Sequence, residues 1–277
     1  MPELAVYQSL WATEQRIPGV EEAPIEARFE QVKAAGFDGM AVDLGALDLA
    51  TAKTTVPYFA RHGLGGLLTA FPKSIEDLRP ALHLAKEIGA PFVVVVGQVM
   101  PLSLEGMIPV IREWLAISRE EGMPIQFETH RNCITNDLFT ALQLLDAIPE
   151  MRMAADLSHY VVDREMPYPI PAELQAQVAR ILERSDSFQG RIATRQQVQV
   201  PIAFPQNRKW LEVFLAWWRD GFARWKGRAK ADDRLIFLCE LGPREYAITD
   251  ALGKELSDRA EEALVLRQHV REIWASV

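Results

Sequence analysis

Four times in its first half the chain repeats one phrase: a helical stretch ending in charge, then a glycine, then a short apolar run. Lys33-Ala34-Ala35-Gly36 leads into Met40-Ala41-Val42, and Ala60-Arg61-His62-Gly63 leads into Gly66-Leu67-Leu68. Lys86-Glu87-Ile88-Gly89 leads into Phe92-Val93-Val94-Val95-Val96, and Arg119-Glu120-Glu121-Gly122 into Ile125-Gln126-Phe127. A glycine just past a helix supplies the left-handed residue that turns the chain back toward a following strand. The spacing, roughly 26 to 33 residues, suits one helix, one strand and two loops; a solenoid has similar periods, but here the phrase recurs without a tight sequence repeat.

Extending the phrase along the chain predicts strands at residues 5–8, 39–42, 66–68, 92–96, 125–127, 153–155, 188–193 and 235–239. Amphipathic stretches lie between them at 24–35, 50–61, 74–88, 104–121, 135–148, 171–184 and 209–226, and 257–274 follows the last strand. Ser74 with Asp77 three residues on reads as a helix-start box. The valines at 93–96 suit a strand buried on both faces, as in a parallel sheet. Eight strands alternating with eight helices predict a single (β/α)8 TIM barrel over residues 1–277, its active site at the C-terminal ends of the strands. The runner-up is a doubly wound open sheet. Its nucleotide signal is missing, because Gly63-Leu64-Gly65-Gly66 precedes a strand instead of following one.

Composition narrows the partners. The 277 residues carry a formal charge of −8, with 49% hydrophobic and 25% charged residues, which fits a globular protein and argues against nucleic acid, whose binders need a cationic track. Two cysteines, Cys133 and Cys239, make no disulfide framework and suit a reducing compartment. Met1-Pro2-Glu3-Leu4 has no basic segment leading into an apolar core, and no apolar run reaches membrane-spanning length, so a cytoplasmic protein without a membrane partner is expected.

Two connections are long for such a barrel, from His159 to Pro171 and from about Arg195 to Asn207, both punctuated by proline. They follow strands and are expected at the rim as lids, pocket walls or ordinary surface loops. Trp210, Phe214, Trp217, Trp218, Phe222 and Trp225 recur at helical spacing. That face is expected to pack on the barrel, with the excess, Phe222 and Trp225, exposed in a contact between copies; a homo-oligomer, dimer or tetramer, follows from this.

The chemistry is expected at strand ends. Glu128, Asp156 and Glu240 each close a predicted strand, so a parallel barrel brings three carboxylates to one mouth. Like charges so placed repel or raise one another's pKa, and a divalent cation resolves the conflict. Oxygen-rich donors suit Mn²⁺, Mg²⁺ or Co²⁺ better than a thiolate-loving metal. Neither cysteine has a legible base partner, so a nucleophilic role is not expected.

Glu128-Thr129-His130, Asp156-Leu157-Ser158-His159 and Cys239-Glu240-Leu241-Gly242 resemble the xylose-isomerase-like barrel superfamily of sugar phosphate isomerases and epimerases, ketose 3-epimerases, hydroxypyruvate isomerases and endonuclease IV relatives. The resemblance runs over essentially the whole chain, the Asp-x-x-His element after the sixth strand being its most telling piece. It implies one divalent cation, Mn²⁺ foremost with Mg²⁺, Co²⁺ or Zn²⁺ as the others, held by Glu128, Asp156, Glu240 and a seventh-strand residue. Relatives usually place a histidine there, whereas this chain has Gln189, whose amide oxygen can ligate a hard cation. It implies Glu128 and Glu240 as the acid/base pair about a metal-stabilised enediolate, with His159 donating to a substrate oxygen or shuttling a proton. Arg195 matches an arginine that epimerase relatives use near substrate. Arg191 resembles one in related isomerase-like proteins, where a Gln-Val pair follows, as Gln199-Val200 does here, and is likewise expected to bind substrate. His130 is expected as a substrate or second-sphere contact or a structural histidine, and Asp43 and Gln98 as pocket-lining or plain loop residues.

The implied activity is isomerisation or epimerisation of a carbohydrate-like small molecule. A lyase, dehydratase or C-glycoside-cleaving enzyme stands beside it, since β-elimination also begins with an α-proton. An endonuclease would need more ligating histidines and a basic rim, and a non-catalytic binding protein is favoured only by the missing seventh-strand histidine.

Overall fold

The computed structural model describes every residue of the chain except Pro18. Eight parallel strands close on themselves in chain order: β1 (Glu3–Ser9), β2 (Gly39–Asp43), β3 (Gly65–Ala70), β4 (Val93–Val95), β5 (Ile125–Glu128), β6 (Met153–Ala155), β7 (Ser185–Gly190) and β8 (Arg234–Cys239). Six residue pairs from Glu3–Arg234 to Gln8–Cys239 join the last strand to the first. The fold is thus the (β/α)8 barrel predicted, and no open edge remains for the doubly wound alternative. The four glycines of the recurring phrase, Gly36, Gly63, Gly89 and Gly122, all have φ between 58° and 76°, the left-handed turn that the phrase calls for.

Side chains alternate along each strand between two cores. Ala5, Tyr7, Ala41, Leu67, Val94, Ile236 and Leu238 fill the barrel, while Val6, Met40, Leu68, Val93 and Phe237 face the helices. Tyr7 sets the fit inside: a Cβ on Gly39 or Gly65 would lie 2.4 or 2.0 Å from its ring or hydroxyl, so both neighbours must be glycine. Above it the interior turns polar. Ser187 Oγ donates to Gln126 Oε1 at 2.6 Å, and one layer higher Gln189 Nε2 donates to Glu128 Oε2 at 2.8 Å.

The outer layer is α1 (Ile25–Ala34), α2 (Leu49–Lys53), α3 (Val56–His62), α4 (Leu78–Glu87), α5 (Leu104–Glu121), α6 (Leu138–Ala147), α7 (Leu157–Asp163), α8 (Ala172–Glu183), α9 (Arg208–Lys226) and α10 (Arg259–Ser276). Ser74 and Asp77 form the expected reciprocal pair before α4, at 2.9 and 3.2 Å. Three expectations change. The helix expected at 50–61 is broken into α2 and α3, with Pro57 in the first turn of α3, where a missing N–H costs nothing. The connection from His159 to Pro171 is helical at its start, because Asp156 caps α7 through Ser158 N at 3.0 Å. The seventh strand ends three residues earlier than expected; polar Ser185, Asp186 and Ser187 begin it, with Asp186 neutralised by Arg152 at 2.6 Å and Arg228 at 2.9 Å.

The aromatic face of α9 also departs from expectation. Phe222 is 0% and Trp225 6% exposed, so neither is free for a second copy of the chain. Phe222 packs against Phe188, Phe237 and Trp274, and Trp225 against Trp274. The apparent excess is consumed by α10 folding back over α9. Phe222→Ala should therefore cost about 3–5 kcal/mol, the usual toll for emptying a buried aromatic site. Urea unfolding monitored by far-UV circular dichroism measures it; a loss below 1 kcal/mol would contradict this packing.

Candidate active site

β5, β6 and β8 bring their final carboxylates together as the closed topology requires. One oxygen each from Glu128, Asp156 and Glu240 lies within 4.8 Å of the others, and all three side chains are buried. Thr129 Oγ1 donates to the Asp156 carbonyl at 2.7 Å, tying the ends of β5 and β6. Asp156 Oδ1 is held by Ser158, from N at 3.0 Å and Oγ at 2.5 Å. Two buried oxygens of this group, Gln189 Oε1 and Glu240 Oε2, have no hydrogen-bond partner among the described residues, and Asp156 Oδ2 is met by charge alone. Unsatisfied buried acceptors are rare enough in folded proteins to call for an explanation.

One side chain offsets the acidity. Arg191, 2% exposed, leaves the end of β7 and enters the cluster. Its Nη1 lies 3.0 Å from Asp156 Oδ2, its Nη2 3.7 Å from Glu240 Oε2, and its Nε donates to the Glu240 carbonyl at 3.0 Å. The guanidinium is also covered by Tyr246 at 4.9 Å and Trp11 at 5.9 Å, a stacking that planar arginine favours. Burial opposes its charge, but Asp156 and Glu240 outweigh burial and raise its pKa further.

The carboxylates remain perturbed. Burial, then the charges of Glu240 and Asp156, push Glu128 well above the usual range. Burial raises Glu240 to about 8 against the pull of Arg191, and raises Asp156 as well. Asp43 is raised to about 6 by burial, although Gly45 N and Ala46 N donate to it at 2.6 and 3.2 Å. The histidines move the other way. Burial lowers His130 to about 4, and burial, His130 and two arginines hold His159 well below its usual value. His159 sits between guanidinium groups, with Nδ1 2.8 Å from Arg131 Nη1 and Nε2 3.2 Å from Arg191 Nη1, and its ring centroid lies 4.0 Å from that of His130. These surroundings favour the neutral imidazole, whose single lone-pair nitrogen can accept from only one of the two guanidinium groups. Burial raises both cysteine thiols to about 12, so neither is a nucleophile at neutral pH.

A cavity of about 260 Å³ opens over the cluster, lined by Asp43, Glu128, His130, Arg191 and Glu240 of the expected residues. Asp156, Gln189 and His159 lie buried beside it, in contact with those walls. Two expected residues are elsewhere. Arg195 is exposed at the rim in an ion pair with Glu165 at 3.4 Å, and Gln98 is half-buried outside the lining. Trp11, Arg16, Phe71 and Tyr246 complete the wall and were not anticipated. Three of them stand one to seven residues beyond the last residue of β1, β3 and β8, on the side where barrel enzymes carry their chemistry. Trp11 and Tyr246 meet edge to face at 5.2 Å. Gln199, of the Gln-Val pair, holds that side in place by accepting from Gly242 N at 2.7 Å and donating to its carbonyl at 2.9 Å.

No family model matches the sequence, and no curated protein matches it. Solved structures do match along their whole length. A xylose isomerase-like TIM barrel protein from Mycobacterium smegmatis, in complex with magnesium, superposes with a TM-score of 0.64 at 16% identity, over 98% of this chain and 97% of that one. A D-allulose 3-epimerase from Methylomonas sp. gives 0.58 at 14% identity over 99% of both chains. A probable 3-DHS dehydratase from Bacillus anthracis gives 0.58 at 12%, over 97% and 99%. The chain shares the closed (β/α)8 barrel fold of these proteins. Among the described residues no helix is long and apolar enough to cross a membrane.

The site fixes a pH signature. Raised carboxylates mean that the folded state holds protons the unfolded chain releases near pH 4.5, so their contribution is present at low pH and lost as pH rises toward about 8. The depressed histidines act oppositely, but only below about 6.5. In EDTA the Tm should accordingly fall between pH 6.5 and 8.5, and Mn²⁺ or Mg²⁺ should raise it more at pH 8.5 than at 6.5. Thermal melts at fixed ionic strength read both, and a Tm that rises across the interval would contradict buried ionisable carboxylates.

Proposed function

We propose that this protein is a divalent-metal-dependent isomerase or epimerase of a small polyhydroxylated carbonyl compound, acting by proton transfer beside the carbonyl. The observation that carries the reading is the convergence of Glu128, Asp156 and Glu240 oxygens within 4.8 Å at the barrel mouth, beside Gln189 Oε1 and Glu240 Oε2, both buried and without a hydrogen bond among the described residues. Their chemistry fits a hard cation, which takes oxygen donors from carboxylates and amides. With all groups ionised, three carboxylates and the Arg191 guanidinium leave two negative charges, the complement of one divalent ion. Glu128, Asp156, Gln189 and Glu240 would hold it. When bound it would act as a Lewis acid toward the substrate carbonyl.

The remaining work falls to side chains. Glu128 and Glu240 come from β5 and β8, three strands apart around the barrel, and face the cavity from different sides. Both line the cavity, where a carboxylate can take and return a proton beside a bound carbonyl. One removes the α-proton and the other returns one to the enediolate, on the same carbon for an epimerase or on its neighbour for an isomerase. Neutral His159 and Arg191 hold the Asp156 side rigid, and His130 offers an uncharged ring edge to a substrate hydroxyl. Trp11, Phe71 and Tyr246 exclude water and present flat apolar faces to the carbon skeleton, while Asp43 accepts from hydroxyls. The cavity, at 260 Å³, lies below the roughly 300–1,000 Å³ common for drug-sized ligands, which favours a compact substrate.

The similarity to a D-allulose 3-epimerase supports this reading, but the equal TM-score of the probable dehydratase supports elimination after the same first step. Both begin with α-proton loss, so exchange in deuterated water tests the common step. With a panel of ketoses and keto acids, Mn²⁺-loaded protein should wash deuterium into one substrate, and EDTA should stop it. Absence of exchange across the panel would sink the proposal; an unsaturated product would select the lyase. Glu240→Gln should lower exchange by at least about 100-fold, the usual worth of a general acid or base, with an unchanged circular dichroism spectrum. Gln189→Leu should weaken Mn²⁺ binding, read by electron paramagnetic resonance titration; unaltered affinity would remove Gln189 from the ligand set.

A further inference from the structure

Two histidines stand side by side at the mouth, and their hydrogen-bond partners leave each of them one tautomer. The ring centroids of His130 and His159 are 4.0 Å apart. His130 Nδ1 meets the Arg131 carbonyl, which can only accept, so Nδ1 carries the hydrogen and Nε2 the lone pair. His159 faces the opposite demand. Its Nδ1 lies 2.8 Å from Arg131 Nη1 and its Nε2 3.2 Å from Arg191 Nη1, and a guanidinium can only donate. An imidazolium in that place would set donor against donor at both nitrogens. The ring therefore has one lone pair to give and two claimants for it.

The shorter contact decides where that lone pair lies. With it on Nδ1, Arg131 makes a full hydrogen bond, and the hydrogen on Nε2 turns toward Asp156 Oδ2, 3.5 Å away. That separation is long for a hydrogen bond, but a polar N–H beside a carboxylate is attracted strongly where water is excluded. The other tautomer would press an N–H against Arg131 Nη1 at 2.8 Å, and Nδ1 has no other partner among the described residues. In the favoured tautomer, Nε2 and Arg191 Nη1, the latter at 3.0 Å, converge on the same oxygen, while Ser158 holds Asp156 Oδ1.

We propose that Arg131 is a positioning residue of the mouth: it fixes the Nε2–H tautomer of His159 and, through that ring, the aim of Asp156 Oδ2. Its second arm donates from Nη2 to Tyr246 Oη at 3.0 Å, and its guanidinium lies 5.3 Å from the Tyr246 ring. One side chain from the segment after β5 thus sets an imidazole on α7, after β6, and braces the aromatic wall carried by the segment after β8. Groups that orient a metal ligand without touching the ion are worth about 10–100-fold in metal affinity. The bearing on a cation rests on the function proposed above; the tautomer does not.

Two-bond proton–nitrogen correlation on the full chain, with ¹⁵N-labelled histidine and diamagnetic Mg²⁺ present, reads both tautomers. His159 should appear as Nε2–H and His130 as Nδ1–H. In Arg131→Met, which keeps the stem and loses the donors, His159 should pass to Nδ1–H with Nε2 accepting from Arg191. His130 should stay as it is, because its carbonyl partner survives the substitution. Tyr246→Phe cuts only the other arm of Arg131 and should leave both rings unchanged. Mn²⁺ titration followed by electron paramagnetic resonance should show binding weakened at least about tenfold in Arg131→Met. Loss of a nearby positive charge alone would tighten binding, so the direction separates positioning from charge. A His159 that is Nδ1–H or doubly protonated in the unsubstituted protein, a His159 tautomer indifferent to Arg131→Met, or Mn²⁺ binding as tight or tighter in that variant would each overturn the proposal. Failure of Mn²⁺ to bind the unsubstituted protein would count against the proposed function, and the tautomers would still decide this inference.

Discussion

The contact on which the mouth of this barrel depends is the ion pair between Arg191 and Asp156, 3.0 Å apart and almost wholly out of water. Three carboxylates within 4.8 Å of one another cannot all ionise in a dry site. At an effective dielectric constant near 20, a pair of unit charges 4 Å apart interacts by about 4 kcal/mol, so one buried guanidinium changes the balance decisively. Arg191 stands one residue beyond the last of β7, whose Gly190 presses against the ring of Phe237; a Cβ there would lie 2.6 Å from it. The backbone thus runs close to β8 at the point where Arg191 turns inward, and its Nε reaches the Glu240 carbonyl. Fold and charge constrain one another at this residue.

From the guanidinium the organisation spreads outward. Tyr246 and Trp11 cover its face and meet each other edge on, and Arg131 reaches Tyr246 Oη at 3.0 Å and His159 Nδ1 at 2.8 Å. His159 in turn touches Arg191. Segments that follow β1, β5, β6, β7 and β8 are therefore joined through side chains that all contact one cation or its partners. The polar side of the mouth is made rigid by hydrogen bonds and ion pairs, the other by stacked aromatics. A small molecule lying between them would meet carboxylate oxygens on one face and flat apolar rings on the other.

Much of this was legible in the chain because strand ends are a positional code. A buried strand that finishes in a carboxylate is conspicuous, and Glu128, Asp156 and Glu240 each did so. The glycine phrase set the helix ends, and valine density marked β4. The rest was hidden for definite reasons. Trp11, Phe71 and Tyr246 belong to connections, where no periodicity says which way a side chain turns. The short helix α7 begins within the Asp-x-x-His element itself, and its cap looks the same in sequence as a loop-start aspartate. The pairing of Arg191 with Asp156 and Glu240 was hidden because sequence gives an arginine's place along the chain but not the depth to which its head group is buried. Phe222 and Trp225 looked superfluous on α9 because their partner, Trp274, lies 49 residues or more away on α10.

Gln189 brings these strands of reasoning to one side chain. Its Nε2 holds Glu128 Oε2 at 2.8 Å, and its Oε1, the other end of the same amide, is left without a partner in the same buried layer. A histidine at this place could offer one nitrogen to a cation, and its second ring nitrogen would face away from that ligand position. The amide is shorter and wholly neutral at any pH, and can brace one ligand while presenting a hard oxygen beside it. Neutrality matters because Arg191 already supplies a fixed positive charge; a protonatable imidazole would add a second and compete with the cation in acid. In the proposed site, glutamine and arginine form one solution: Arg191 lowers the charge that a cation must balance, and Gln189 completes an oxygen set without adding to it. Such a set disfavours the softer metals that imidazole and thiolate attract, so the chain's departure from histidine bears on which cation is held more than on whether one is.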